Sequence, residues 1–195
     1  MPTSGWAAIA NRGTPVLKSS CAIFLAMMCL IGMGAESVWA ERKSHIKLEK
    51  PLPQPEWELP VIANGSGNVS PENHRGRVTY IDFWASWCGP CRLSLPALNR
   101  LQKEFDASDF AIVAISVDYV DEDALDFLKR YPVDYPVAID KTGDSGRAFA
   151  VGGMPSGYLI DRDGQIREIH VGYRKGDDEL LRESIMALIR TPATP

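Results

Sequence analysis

The stretch from Tyr80 to Cys91, Tyr-Ile-Asp-Phe-Trp-Ala-Ser-Trp-Cys-Gly-Pro-Cys, constrains the fold more than any other part of the chain. Strand-forming side chains run directly into two cysteines separated by Gly89-Pro90, and a helical repeat follows. A disulfide needs α-carbons roughly 4.4–6.8 Å apart. One helical turn starting at Cys88 places Cys91 on the same face, so the two sulfurs can pass between dithiol and disulfide. The chain therefore has to end a strand where a helix begins, with both thiols at the junction.

The flanking pattern supplies that architecture. Val78 to Phe83 reads as a strand bounded by Gly76. From Pro90 onward Leu95, Leu98, Leu101 and Phe105 recur every three or four residues, with Arg92, Asn99, Arg100 and Lys103 off that stripe. Pro96 sits inside this helix, removes a backbone donor and predicts a kink. Phe110 to Val117 is apolar at nearly every position, as a parallel strand covered on both faces should be. Asp121 to Arg130 reads as a short helix with acids at its positive end. Tyr135 to Asp140 reads as a strand and Gly146 to Val151 as a helical turn, before Gly152-Gly153-Met154-Pro155 breaks the chain.

Ser156 to Ile160 and Gln165 to Val171 flank an Asp-Gly turn, a hairpin signal. Asp177 to Arg190 closes with an amphipathic helix whose stripe is Leu181, Ile185 and Leu188. The order β-α-β-α-β-α-β-β-α predicts an α/β domain with a mixed sheet: parallel crossovers first, an antiparallel hairpin last.

Ahead of this domain, the Trp57, Leu59 alternation with Glu56 and Glu58 predicts a short edge strand, and Ser70-Pro71-Glu72-Asn73 a capped single turn. Residues 41–56, charged and then proline-rich, read as a tether into a domain spanning 57–190, with 191–195 as a tail. Residues 1–40 read as a leader. Arg12 and Lys18 precede a 15-residue uncharged run from Cys21 to Ala35, and Val38-Trp39-Ala40 offers a small-residue cleavage site. The alternative is an uncleaved N-terminal anchor, although a span usually needs about 18 or more apolar residues. Either form predicts an exported domain.

Among 195 residues, 21 Lys and Arg against 25 Asp and Glu leave a net charge of −4, the wrong sign for a nucleic-acid binder. Of four cysteines, Cys21 and Cys29 lie in the leader, so two remain for the domain, too few for a disulfide framework. A zinc site normally needs four ligands. Only His45, His74 and His170 could assist the cysteine pair, and they show no paired spacing, so neither metal nor cofactor is expected beyond the redox disulfide itself.

Taken together, Trp87-Cys88-Gly89-Pro90-Cys91 after a strand, Gly153-Met154-Pro155 about sixty residues on, and a closing hairpin and helix resemble the thioredoxin fold. The leader, the Trp57–Asn73 preface and an extra strand–helix insertion from about Tyr119 to Asp140 make the chain similar to the exported TlpA/ResA/CcmG type. That group holds membrane-tethered or periplasmic thioredoxin-like reductases, some serving cytochrome c maturation, so the resemblance implies a domain in the periplasm or anchored to the inner membrane facing it. The resemblance covers roughly Trp57 to Arg190. It implies a three-layer α/β/α sandwich with a mixed central sheet, thiol–disulfide exchange with protein substrates, re-reduction by a membrane electron donor, and a monomer.

The resemblance assigns roles residue by residue. Cys88 is the expected nucleophile, its thiolate favoured by the helix N-terminus. Cys91 is the expected resolving thiol. Pro155 matches the family's cis-proline, against which a substrate chain passes; an ordinary loop proline is the alternative. Met154 would line that groove, or fill core. Trp87 is expected beside Cys88, and Phe83 and Trp84 in the core. Asp82 lies where thioredoxins bury an acid that exchanges a proton with the second cysteine; a structural polar residue is the alternative.

There are departures from the family pattern. Ser94 stands where reductases of cytochrome maturation often carry a glutamate, and the lysine that partners the buried acid in thioredoxins falls near Ala114. Gly89-Pro90 resembles the reducing members. A static disulfide, a metal- or haem-delivery module using the same cysteines, and a disulfide-inserting oxidant are the competing readings.

Overall fold

A computed structural model describes residues 45–193. The leader assigned to residues 1–40 lies outside them, as do residues 41–44 of the expected tether and 194–195 of the tail. Eight strands form one sheet: β1 (His45–Pro53), β2 (Leu59–Ala63), β3 (Asn68–Val69), β4 (Val78–Trp84), β5 (Phe110–Ser116), β6 (Val137–Ile139), β7 (Ser156–Ile160) and β8 (Gln165–Val171). The helices are α1 (Cys91–Gln102), α2 (Asp121–Arg130), α3 (Asp144–Ala148) and α4 (Asp177–Ile189), with a 3-10 turn at Pro71–His74.

The spatial order is β1-β8-β7-β4-β5-β6-β2-β3. Strands β4, β5 and β6 are parallel, joined by helical crossovers, and every other neighbouring pair is antiparallel. The mixed sheet predicted from the order of elements is present. All seven residues of both β4 and β5 are buried, which is why their sequences are apolar almost without alternation.

Alternate residues of these strands feed two cores. Val78, Tyr80, Trp84, Ile112 and Ala114 pack with Leu95, Leu98 and Leu101 of α1, Phe127 of α2, and Leu181 and Ile185 of α4. Ile81, Phe83, Val113 and Ile115 pack instead with Trp57, Val69, Phe149 and Tyr158. One face thus carries the three long helices, and the other the short α3 and the polypeptide before β4. Each fully buried leucine of α1 contributes about 1.5–3 kcal/mol of hydrophobic stabilisation, so α1 and the cysteine that opens it are held firmly on the sheet. Helix α1 runs on through Pro96 as a single helix.

Two expectations need correction. Residues His45–Pro53, read as tether, form β1, paired antiparallel with β8 in a register that sets His45 opposite His170. The exposed edge of β8 offers unpaired backbone groups, and pairing them outweighs the poor strand propensity of Lys-Pro-Leu-Pro; prolines are tolerated because β1 is itself an edge. The alternation at Trp57 and Leu59 marks a strand that begins only at Leu59, with Trp57 buried just ahead of it.

Gly157 shows how tightly the sheet is built below the cysteines. It pairs with Asp82 across β4–β7, and a Cβ added there would lie 1.8 Å from the Tyr80 hydroxyl oxygen and 2.2 Å from its ring. Tyr80 is buried and has no room to yield. Gly157→Ala should therefore destabilise by about 3 kcal/mol, the upper part of the overpacking range. Urea unfolding midpoints of the variant and the original chain measure this, and an unchanged midpoint would refute it.

Candidate active site at the strand–helix junction

Cys88 and Cys91 form a disulfide with α-carbons 5.4 Å apart. The helix opens at Cys91, with Pro90 in the capping position, so Cys88 stands just before the helix and not at its first turn. The reason is Pro90: it has no N–H to lose and its fixed φ suits a helix start. The placement still gives Cys88 a helix donor, because the Cys91 amide donates to Cys88 Sγ at 3.2 Å. That N–H and the dipole of α1 are placed to favour negative charge on Cys88 Sγ.

The two sulfurs are not equivalent. Cys91 is fully buried, while Cys88 is 4% exposed and lines an open concavity with Ser86, Trp87, Gly89, Arg92, Phe127, Arg130 and Tyr131. Of the two cysteines, only Cys88 lines this concavity. Trp87 is 69% exposed, an unusual state for a tryptophan, and flanks the sulfur as an apolar contact surface. Arg92 and Arg130 add positive charge to the same concavity and favour an anionic sulfur there. Neither arginine was singled out from sequence, where both look like ordinary exposed helix charges.

The loop carrying the cysteines is anchored by a residue that sequence reasoning missed. Asp118 is buried, and its carboxylate accepts from the Ser86 amide (2.9 Å), the Ser86 hydroxyl (2.8 Å) and the Ser116 hydroxyl (2.8 Å). Its only signal in the sequence is an acid one residue past an apolar strand. Asp118→Ala strands a buried amide and two hydroxyls, which should lower stability by about 2–3 kcal/mol. Thermal unfolding checks the loss, and a midpoint equal to that of the original chain would sink the anchoring role.

Beneath this loop lies Asp82, buried, with Oδ2 lacking any hydrogen-bond partner among the described residues. Burial holds its carboxyl well above the usual carboxylate range. Burial, reinforced by the charge of Asp82, likewise pushes up the hydroxyls of Tyr80 and Tyr135. Across the parallel ladder Asp82 pairs with Ala114, so no cation answers it from that strand. Desolvation alone sets its protonation.

The remaining residues fall as follows. The Met154–Pro155 peptide bond is cis. Pro155 is buried, and its carbonyl accepts from the Gly172 amide at 2.8 Å. Met154 is partly buried and packs against the core cluster that contains Cys88 and Cys91 as well as the one on the opposite face. Phe83 and Trp84 are core, as expected, with Trp84 packed on Phe127 in a tilted arrangement, 5.1 Å between centroids. Ser94 is buried on α1, its hydroxyl without a hydrogen-bond partner among the described residues.

This arrangement can be set beside known proteins. The Redoxin family profile matches residues 48–185. The chain belongs to the redoxin family. It is 28% identical over 151 residues to the thiol-disulfide oxidoreductase ResA of Bacillus thuringiensis subsp. konkukian, covering 77% of this chain and 87% of that protein. It is 29% identical over 160 residues to the thioredoxin-like protein YneN of Bacillus subtilis, covering 80% and 92%.

Among solved structures, a Chlorobium tepidum protein assigned as the thiol:disulfide interchange protein DsbE superposes with a TM-score of 0.68. The two are 41% identical, over 73% of this chain and 99% of that one. The fold is thioredoxin-like, of the TlpA/ResA/CcmG type, and this redoxin is a thiol–disulfide oxidoreductase.

Proposed function

We propose that this redoxin is an exported reductase of protein disulfides, working on its own cysteine pair without a bound cofactor. The observation that carries the reading is the inequality of the two sulfurs: Cys88 opens to the concavity under a helix N–H, and Cys91 is sealed behind it. The Cys88 thiolate attacks one sulfur of a client disulfide, forming a mixed disulfide and releasing the client's other sulfur as a thiolate. Cys91 then gives up its proton to Asp82 in the carboxylate form, a strong base because burial raises its pKa, and attacks Cys88 Sγ. The Cys88–Cys91 disulfide forms, the client leaves fully reduced, and two electrons have moved to it. Trp87, Gly89, Pro90, Met154 and Pro155 form the surface on which the client chain lies.

A membrane electron donor returns the pair to the dithiol state, and the leader before residue 41 takes the domain to the periplasm or holds it at that face of the membrane. No described helix is long and apolar enough to cross a membrane. The domain acts as a monomer. Its clients are oxidised cysteine pairs in general, cytochrome c precursors among them. Ser94, in place of the acid of the specialised haem-maturation reductases, supports that breadth.

The test is catalysis of insulin disulfide reduction by the full chain with dithiothreitol present, together with thiol trapping of Cys88 and Cys91 in cells. Turnover with mostly reduced thiols is expected. A chain without turnover, or a pair with a potential near −120 mV, at the oxidising end of the family, would overturn it.

A further inference from the structure

Far from the cysteines in sequence, the outer edge of the sheet gathers three potential ligands. His45 on β1 lies opposite His170 on β8, and Glu168 projects from the same face of β8 as His170. His45 Nε2 is 2.5 Å from Glu168 Oε2, and His170 Nε2 is 3.8 Å from that oxygen. One ligand atom from each residue lies within 4.8 Å of the other two. The imidazole rings stack at 4.2 Å with 24° between their planes.

An ordinary ion pair explains part of this arrangement and leaves part unexplained. His45 and Glu168 satisfy each other. His170 is 6% exposed, Glu168 is 3% exposed, and His170 Nε2 has no hydrogen-bond partner among the described residues, the shared carboxylate oxygen lying 3.8 Å away. A buried ring nitrogen left unpaired is unfavourable. An electron-pair acceptor at the centre of the three atoms would satisfy that nitrogen.

We propose that Nε2 of His45, Nε2 of His170 and Oε2 of Glu168 form a binding site for a divalent transition cation of the zinc class. Two imidazoles and one carboxylate suit zinc and its neighbours and disfavour magnesium and calcium, which take oxygen ligands. Bond lengths of about 2.0–2.2 Å to a tetrahedral ion set ligand atoms roughly 3.4 Å apart. Movements of about an ångström at the ends of three side chains reach that spacing.

The His45 side chain is 22% exposed, so the fourth position opens to water on the β1 side. Lys47 faces the other carboxylate oxygen, Oε1, at 3.8 Å, and the edge of Tyr80 closes on His170. The ion would clip β1, the segment arriving from the leader, onto the domain. Neither cysteine takes part, so the site stands apart from disulfide exchange. It has no local signature because strand register, and not sequence spacing, brings the histidines together.

Zinc titration calorimetry of the full chain tests this, with Cys88–Cys91 oxidised and Cys21 and Cys29 alkylated so that no thiol competes. One equivalent should bind, and cobalt in its place should show the strong visible absorption of a tetrahedral site. His45→Ala, His170→Ala and Glu168→Gln should each weaken binding at least about 100-fold. His74→Ala should leave it unaltered. His170 and Glu168 are buried, so the partly exposed His45 carries the test, with circular dichroism showing that the variant is folded. Absence of stoichiometric binding, or full affinity in His45→Ala, would overturn the site.

Discussion

Cys88→Ser should lower disulfide turnover by at least about 10³-fold, because a hydroxyl replaces the sulfur of the proposed nucleophile, which lines the open concavity. The two cysteines make different predictions, and that difference is the stronger test. Cys91→Ala leaves the nucleophile in place and removes its competitor. The first attack should proceed, and the client should stay bound through a mixed disulfide on Cys88 that thiol trapping and denaturing gels can isolate.

Cys91→Ala also keeps the backbone N–H that donates to Cys88 Sγ, so the thiolate of the variant retains its stabilisation. A static disulfide predicts neither the loss of turnover nor the trapped intermediate. If mixed disulfides accumulated instead on Cys91 in Cys88→Ser, the assignment of nucleophile would be reversed.

Much of this site is legible in the sequence because its parts are local. A strand ending in Trp-Cys-Gly-Pro-Cys has to place its sulfurs at a helix start, and Leu95, Leu98 and Leu101 announce which face of that helix is buried. Asp121, Glu122 and Asp123 likewise mark the first turn of α2, which runs over the residues predicted. What escapes notice depends on partners distant in the chain. β1 has two prolines and three charged side chains and is a strand only because the edge of β8 is there to pair with. Asp118 looks like any loop acid until Ser86 folds back onto it. The offset of Cys88 from the first helical residue turns on a single peptide unit, finer than a periodic pattern can resolve.

Asp82→Asn should have opposite effects on stability and on turnover. The carboxyl is buried, lacks a partner at Oδ2, and is held well above the range it has in an unfolded chain, about 3.9. Below that pH both states carry the proton and the group contributes no penalty. As pH rises past it, the unfolded chain releases its proton while the folded chain keeps it. Stability therefore falls with rising pH up to the folded pKa and then levels.

Asparagine cannot ionise, so the variant should lose that slope and gain, relative to the original chain, about 1.4 kcal/mol for each pH unit between about 3.9 and the folded pKa or the working pH, whichever is lower. Urea unfolding from pH 4 to 8 reads the difference between the two chains, in which the other titrating groups cancel. Turnover should move the other way. Without an acceptor for the Cys91 proton, release of the mixed disulfide should slow by about 10²-fold near neutrality. The deficit should narrow as pH approaches the thiol's own range, about 8.5, where Cys91 ionises unaided. A purely structural Asp82 would give the stability change with the pH profile of turnover left intact, and that outcome would remove it from the mechanism.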